Sequence, residues 1–348
     1  MPIYRIIAFT KTPLRKAFRY RDVFQLVPYT ADFKPEVSKY AVDYPCFLEY
    51  SLPDDHCDLK AQWVRDRELP VLLTAFSVYR VFLYDFHASS WGVKFPTFSI
   101  DYIAKESQMS YEELRNEMPE YNYAGFFYQD PKHILKDNAF TEIAEENRMA
   151  VLKRYMSYIA IEQDRYDIRN DYAEIHFSEE TVRCLDAYFA MGDKQRKKIY
   201  SAARLISDCI ALKGYRHSLA FMAGVAALET MADMVTKDDE QVVEDCPSCH
   251  AIASSPYKCQ KCGRPIWGVT AKVKNLLKEY VSNNEADVKM YNKIYDLRSK
   301  ITHTGDIFIN DSIFDADDAR TSKENIMEYK LLEYARRAMA GVLISMNE

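Results

Sequence analysis

The chain has 348 residues and a formal net charge of −6. That length allows two domains with separate cores, and the charge gives no overall attraction to nucleic acid. Hydrophobic residues make up 48% and charged residues 28%, a globular balance that excludes a disordered chain. Glycine is scarce, and neither G-x-x-x-x-G-K-[ST] nor G-x-G-x-x-G occurs, which argues against the phosphate-cradling loops of nucleotide-binding folds.

The opening "MPIYRIIAFTKTPLRK" has a short apolar run with no basic stretch ahead of it, and does not read as a signal peptide. No segment approaches an uninterrupted apolar run of about 18 residues. The expected setting is therefore cytoplasmic, without a membrane span, where disulfides are rare and paired cysteines more often bind metal. Two local basic patches, Lys11 to Arg21 and Lys194 to Lys198, read as solvated surface more readily than as nucleic-acid contacts.

In chain order, the first half is strand-rich. "IYRIIAF", "DVFQLVPY", "CFLEYSL", "VLLTAFSVYRVFLYDF" and "YAGFFYQ" are aromatic, β-branched and partly alternating. "LPDD" and "QDPK" supply turns between some of them. The periodicity predicts one helix, Thr141 to Gln163, with Ile143, Val151, Leu152, Tyr155 and Ile159 on one face, and "NDYAEIHF" after it as a last strand.

From Ser178 the pattern turns helical. Ser178 is placed to cap, with Glu179 and Glu180 in the first turn. "KQRKKIYSAARLISDCIALK" repeats apolar residues at helical spacing. "HSLAFMAGVAALETMADMV" is apolar nearly all round, as a buried central helix should be. "TAKVKNLLKEYV" and "DVKMYNKIYDLRSKI" are amphipathic, and a long closing helix is expected to start from Ser322 as its cap. The reading is an α+β chain: a β-rich domain over residues 1–178, then a helical bundle over 179–348, with a soft boundary between Phe177 and Gly192.

The bundle carries an insertion, residues 244–268, containing "CPSCHAIASSPYKCQKCG". Cys246 and Cys249 form one C-x-x-C pair and Cys259 and Cys262 the next. Such pairs each turn two thiolates onto one ion, and two pairs complete a tetrahedral set for zinc. An iron–sulfur cluster and a redox dithiol are the alternatives. Four thiolates close the coordination shell, so the zinc would be structural, a zinc ribbon, and His250 would be surplus. Lys258, Lys261 and Arg264 could let such a ribbon touch RNA, but a stapled insertion is the plainer reading. Cys46, Cys57, Cys184 and Cys209 read as packing.

"YDLRSKITHTGD" holds an arginine and a histidine five positions apart, Arg298 and His303, with Gly305 as a helix stop. Such a pair alone is a weak signal, because a histidine at a helix end more often serves the helix dipole. Its context is stronger. Tyr291, Ile294, Tyr295 and Leu297 anchor the helix in a core. Upstream, "AALETM" places Glu229 among apolar neighbours. A buried carboxylate there needs a cation, and Arg298 is one candidate; the other reading puts Glu229 at the helix edge in water. The acidic stretch "GDIFINDSIFDADDAR" follows the motif and repels RNA unless it folds away.

"YDLRSKITHTG", the "AALETM" helix and the closing amphipathic helix together resemble the Apea-like branch of the HEPN superfamily. The resemblance covers roughly residues 190–348 and is sharpest at 295–305. It implies a helical bundle that forms a homodimer and a metal-independent endoribonuclease site shared between two copies. Arg298 and His303 would be the catalytic pair, and Ser299 matches the small polar residue after the arginine. It also implies a role in prokaryotic defence or as a toxin. The rival expectation is a catalytically silent HEPN scaffold that binds RNA or a protein partner.

The implied chemistry suits these residues. RNA brings its own nucleophile, the 2′-hydroxyl. Histidine titrates near neutrality and can serve as base or acid. Arginine stays charged and grips phosphate through two parallel hydrogen bonds. One histidine per chain makes a two-fold dimer the natural source of both acid and base.

Overall fold

The computed structural model describes residues 2–10, 14, 16–28, 36–37, 44–52, 59–77, 83–85, 93–94, 110, 139–142, 175, 177–213, 216–236, 241–245, 252–256, 268–312 and 318–347. The chain forms two compact units. One comprises Met1–Leu73 and Tyr79–Phe177, the other Thr74–Val78 and Ser178–Glu348. The first is built on an antiparallel sheet and the second is mostly helical, an α+β organisation.

In the first unit the sheet runs in the order β2-β3-β5-β1-β6. Its strands are β1 (Ile3–Thr10), β2 (Phe18–Tyr20), β3 (Phe24–Pro28), β5 (Tyr44–Ser51) and β6 (Leu83–Asp85); β4 (Glu36–Val37) pairs separately with β7 (Val93–Lys94). β5 is central, and Cys46 through Tyr50 are all buried, as befits a strand covered on both faces. Strand alternation sends Leu48 and Tyr50 to one face and Phe47 and Glu49 to the other. On the first face Tyr50 stacks on Tyr4, centroids 5.6 Å apart, and its hydroxyl donates to Asp66 Oδ1 at 2.6 Å. Asp66 belongs to α1 (Leu59–Phe76).

The second face holds a polar row. Arg5 and Gln25 sit directly opposite Glu49 on the flanking strands. Arg5 Nε donates to Glu49 Oε1 at 2.9 Å and Gln25 Nε2 to Oε2 at 2.7 Å. Thr141 adds its backbone amide at 2.9 Å and its hydroxyl at 2.6 Å. Glu49 is fully buried, and this donor set is what makes a buried carboxylate tolerable.

The expected strand beginning at Val71 is corrected. Residues 71–76 finish helix α1, and among the described residues of that stretch Leu83–Asp85 is the strand. A six-residue apolar run buried on all sides reads alike as strand or helix. Pro70 lies inside α1; it lacks the amide hydrogen that would reach the Asp66 carbonyl, yet the helix continues to Phe76. "YAGFFYQ", nearly all of the helix expected at Thr141 to Gln163, and most of "NDYAEIHF" lie outside the described residues.

The second unit contains α2 (Glu179–Ala190), α3 (Asp193–Leu212), α4 (His217–Val235), α5 (Val269–Tyr280), α6 (Glu285–Thr304) and α7 (Asp318–Ser345). Ser178 caps α2, its hydroxyl accepting from the Thr181 amide. α4 packs against α3, α5, α6 and α7, so its near-continuous apolar surface is the centre of the bundle; by length and composition alone it could cross a membrane. Gly341 lets α7 approach α5: a Cβ there would lie 2.8 Å from the Tyr280 side chain. The closing helix starts at Asp318, so Ser322 lies exposed in its second turn and not at its cap.

Between α4 and α5 lies an antiparallel hairpin, β8 (Gln241–Asp245) and β9 (Ile252–Pro256), with Asp245 opposite Ile252. Cys246 and Cys249 fall in the sequence between these strands, and Cys259 and Cys262 after them. All four lie outside the described residues.

Candidate active site

The site is built where α6 crosses α4. Asn284 caps α6, accepting from the Asp287 amide at 2.8 Å. Buried Tyr291, Ile294, Tyr295 and Leu297 hold one side of the helix in the core. That anchoring fixes the rotation of the helix and turns Arg298 toward α4. Its Nη2 lies 3.4 Å from Glu229 Oε1, with both side chains about a quarter exposed (28% and 24%). Glu229 thus sits at the edge of the apolar α4 surface, partly wet, beside a cation.

The Tyr295 hydroxyl lies buried beneath this pair. Burial first, and then the neighbouring Glu229 carboxylate, push its pKa far above the ordinary phenol value, while Arg298 pulls the other way. Tyr295 Oη, Glu229 Oε1 and Arg298 Nε are all buried atoms without a hydrogen bond in good geometry among the described residues. Three such atoms on three adjacent side chains depart from the rule that buried polar groups are satisfied. The ion pair is therefore close but not saturated. One turn further along α4, Asp233 sits between Lys198 at 3.6 Å and Lys272 at 3.5 Å, so anions of α4 face cations from three neighbouring helices.

His303 occupies the last turn of α6 and is exposed, as is Ser299. Gly305 ends the helix at φ +71°, a left-handed conformation that glycine adopts without the Cβ penalty. Thr302 and Thr304 hydroxyls return to the carbonyls of Arg298 and Lys300 at 2.8 and 2.7 Å, keeping the final turn helical through the motif. At about 100° per residue, five positions put Arg298 and His303 roughly 140° apart around the axis. Among the described residues no hydrogen bond or ion pair joins them.

The acidic stretch after Gly305 is partly consumed in structure. Asp306 Oδ1 accepts from Arg320 at 2.9 Å. Asp311 caps α4, its two oxygens accepting from the His217 and Ser218 amides at 2.9 and 2.6 Å. Burial would raise the Asp311 carboxyl, but the hydrogen bonds from Ser218 and His217 outweigh it and hold it below the ordinary value. Glu324 Oε2 accepts the Ile309 amide at 2.8 Å, and Oε1 accepts Arg320 Nε at 2.7 Å. Buried Phe308 inserts against Phe221, ring centroids 5.3 Å apart. Asp315 and Asp317 lie outside the described residues.

Deeper in the unit, His217 Nδ1 lies 3.1 Å from Glu328 Oε2, with the Glu328 side chain fully buried. Burial raises the Glu328 carboxyl and His217 partly offsets that. Nothing in the sequence marked this pair. It ties α7 to the start of α4, next to the Asp311 cap. Tyr295 was legible only as a core anchor, and its hydroxyl beneath the ion pair emerges from the packing of α6 on α4.

No family model, no curated protein and no solved structure matches this chain.

Proposed function

We propose that the helical unit is a metal-independent endoribonuclease of the HEPN type, acting as a homodimer. The observation that supports this reading best is the arrangement at the end of α6. Arg298 is held about a quarter exposed in an ion pair to Glu229 that is unsaturated among the described residues, while His303 stands exposed in the last turn before a left-handed glycine cap. An arginine whose carboxylate partner is incompletely bonded can exchange that partner for a phosphate with little loss. The wide angle between Arg298 and His303 favours a composite site, in which His303 of the partner subunit approaches Arg298 across a two-fold axis.

In the proposed reaction one histidine takes the proton from the RNA 2′-hydroxyl. The alkoxide attacks the adjacent phosphorus, and the bond to the 5′-oxygen breaks. The other histidine protonates that oxygen as it leaves. Arg298 binds the non-bridging oxygens and stabilises their developing charge. The products are a 2′,3′-cyclic phosphate and a 5′-hydroxyl. Glu229 acts through Arg298 as a positioning residue. Ser299, exposed beside Arg298, is placed to contact the strand.

Cys246, Cys249, Cys259 and Cys262 are proposed to hold one structural zinc ion, supported by the C-x-x-C spacing and by the β8–β9 hairpin beside the first pair. The zinc takes no part in the chemistry. Elemental analysis should return one zinc per chain; none, or iron, would overturn this. The defence or toxin role follows from family analogy alone, and overproduced protein should then arrest growth where its His303→Ala variant does not.

A second reading is a silent scaffold that binds RNA or a protein partner, and the Glu229 ion pair favours it by occupying Arg298. Incubation of the purified protein with mixed RNA in EDTA separates the two. Cleavage to cyclic-phosphate ends supports the nuclease, and intact RNA supports the scaffold.

A further inference from the structure

A groove of about 610 Å³ opens between α6 and the first turns of α7, on the side of α6 away from Glu229. Its floor is apolar: Met290, Leu297, Ile326 and Met327. Lys293, Lys300 and Lys323 stand on its rim, all exposed.

Among the described residues the charges around the groove are not balanced. Arg320, Asp306 and Glu324 also line it but are bonded to one another. That leaves three lysines and one carboxylate, Asp296, with no ion pair among the described residues. Lys293 and Lys300 are two turns apart on α6, a rise of about 10 Å, so the positive charge runs along the groove.

Position links the groove to the motif. At about 100° per residue, His303 projects roughly 20° from the direction of Asp296 and 60° from that of Lys300. His303 therefore stands at the edge of the groove-lining face of α6, in its last turn. A strand leaving His303 along that face would pass between the lysines.

Resting on the endoribonuclease reading, we propose that this groove binds the single-stranded RNA flanking the scissile phosphate. Lys293, Lys300 and Lys323 contact its backbone, and the Met–Leu–Ile floor receives a base. Among the described residues no aromatic side chain lines the groove, and the strong, ordered stacking of dedicated single-strand binders is not what these residues offer. Recognition here should depend on charge and tolerate sequence.

The probe is a short single-stranded RNA with every 2′-hydroxyl methylated, which binds but cannot be cleaved. Its affinity is followed by fluorescence anisotropy against salt for wild type, for Lys293→Ala/Lys300→Ala/Lys323→Ala, and for a control, Lys194→Ala/Lys197→Ala, on α3. Each lost phosphate contact flattens the slope of log K against log salt by about 0.7. The triple variant should flatten it by about 2 while its thermal unfolding stays unchanged, and on cleavable RNA its KM should rise with kcat retained. The control should match wild type. If wild type binds and cleaves RNA but the triple variant has an unaltered slope, the groove is not the track and the nuclease reading stands. If wild type neither binds nor cleaves RNA, both fall. Displacement of the RNA by a polyglutamate peptide of equal charge, at equal concentration, would overturn the RNA assignment in favour of an acidic protein partner.

Discussion

Glu49 and Glu229 are carboxylates set among apolar neighbours, one in each unit, and they are completed differently. Glu49 is fully buried, and Arg5, Gln25 and Thr141 saturate both of its oxygens. Glu229 is a quarter exposed, meets one guanidinium at 3.4 Å, and among the described residues leaves Oε1 without a hydrogen bond. A saturated carboxylate has nothing left to offer a ligand, and its role is to fix strands and the Thr141 segment in register. An unsaturated one beside an arginine and a buried phenol holds a charge in place that another anion can claim.

The largest consequence falls on Glu49. Glu49→Ala takes the carboxylate from Arg5 and, among the described residues, leaves the Arg5 and Gln25 side chains only their bonds to Thr141, and removing one member of a buried charged pair costs about 3–5 kcal/mol; urea unfolding of the full chain reads this directly. A loss below about 1 kcal/mol would mean that the row across β1, β5 and β3 is not structural. Next, Gly305→Ala forces a Cβ into the left-handed region at a cost of about 1–2 kcal/mol, and should loosen the loop that Asp306 and Asp311 fasten.

Asp311→Asn replaces one of the two oxygens that accept the His217 and Ser218 amides with an NH2 that cannot accept, and should cost about 1 kcal/mol. Because the Asp311 carboxyl is held below its ordinary value of 3.8, its contribution is complete above that pH and is lost as pH falls through the folded value. Wild type and Asp311→Asn should therefore differ in unfolding free energy at neutral pH and converge in strong acid; a constant gap would contradict the capping role. The smallest stability effect belongs to Glu229→Gln, at most about 1 kcal/mol for a partly exposed pair. It should instead change cleavage kinetics by freeing Arg298. If Glu229→Gln destabilises the protein as much as Glu49→Ala, the contrast between the two carboxylates is lost.

The helical unit was legible in the sequence because amphipathic period and caps are local signals. His217–Val235 was readable residue for residue, and Gly305 marked the end of α6. Helix α1 was not, because Pro70 weakens the helical signal and the apolar run after it reads alike as strand or helix, while the Tyr50–Asp66 hydrogen bond that seats the helix on the sheet joins residues 16 apart. The closing helix began earlier than its serine suggested, since Asp318–Thr321 already lie in it. Arg298, His303 and Glu229 could be singled out as residue types in context. The Tyr295 hydroxyl under the ion pair and the groove joining Met290 to Ile326 could not, because both depend on distances between helices far apart in sequence.

The central claim is that Arg298 and His303 cleave RNA without metal. Purified protein, mixed RNA and EDTA test it together, with His303→Ala and Arg298→Lys beside wild type. The expected result is cyclic-phosphate ends with wild type, a loss of about 10² to 10⁴ in rate for His303→Ala, and a severe loss for Arg298→Lys, which keeps the charge but not the planar fork. Cleavage by both variants at the wild-type rate, or wild-type cleavage that vanishes in EDTA, would contradict it.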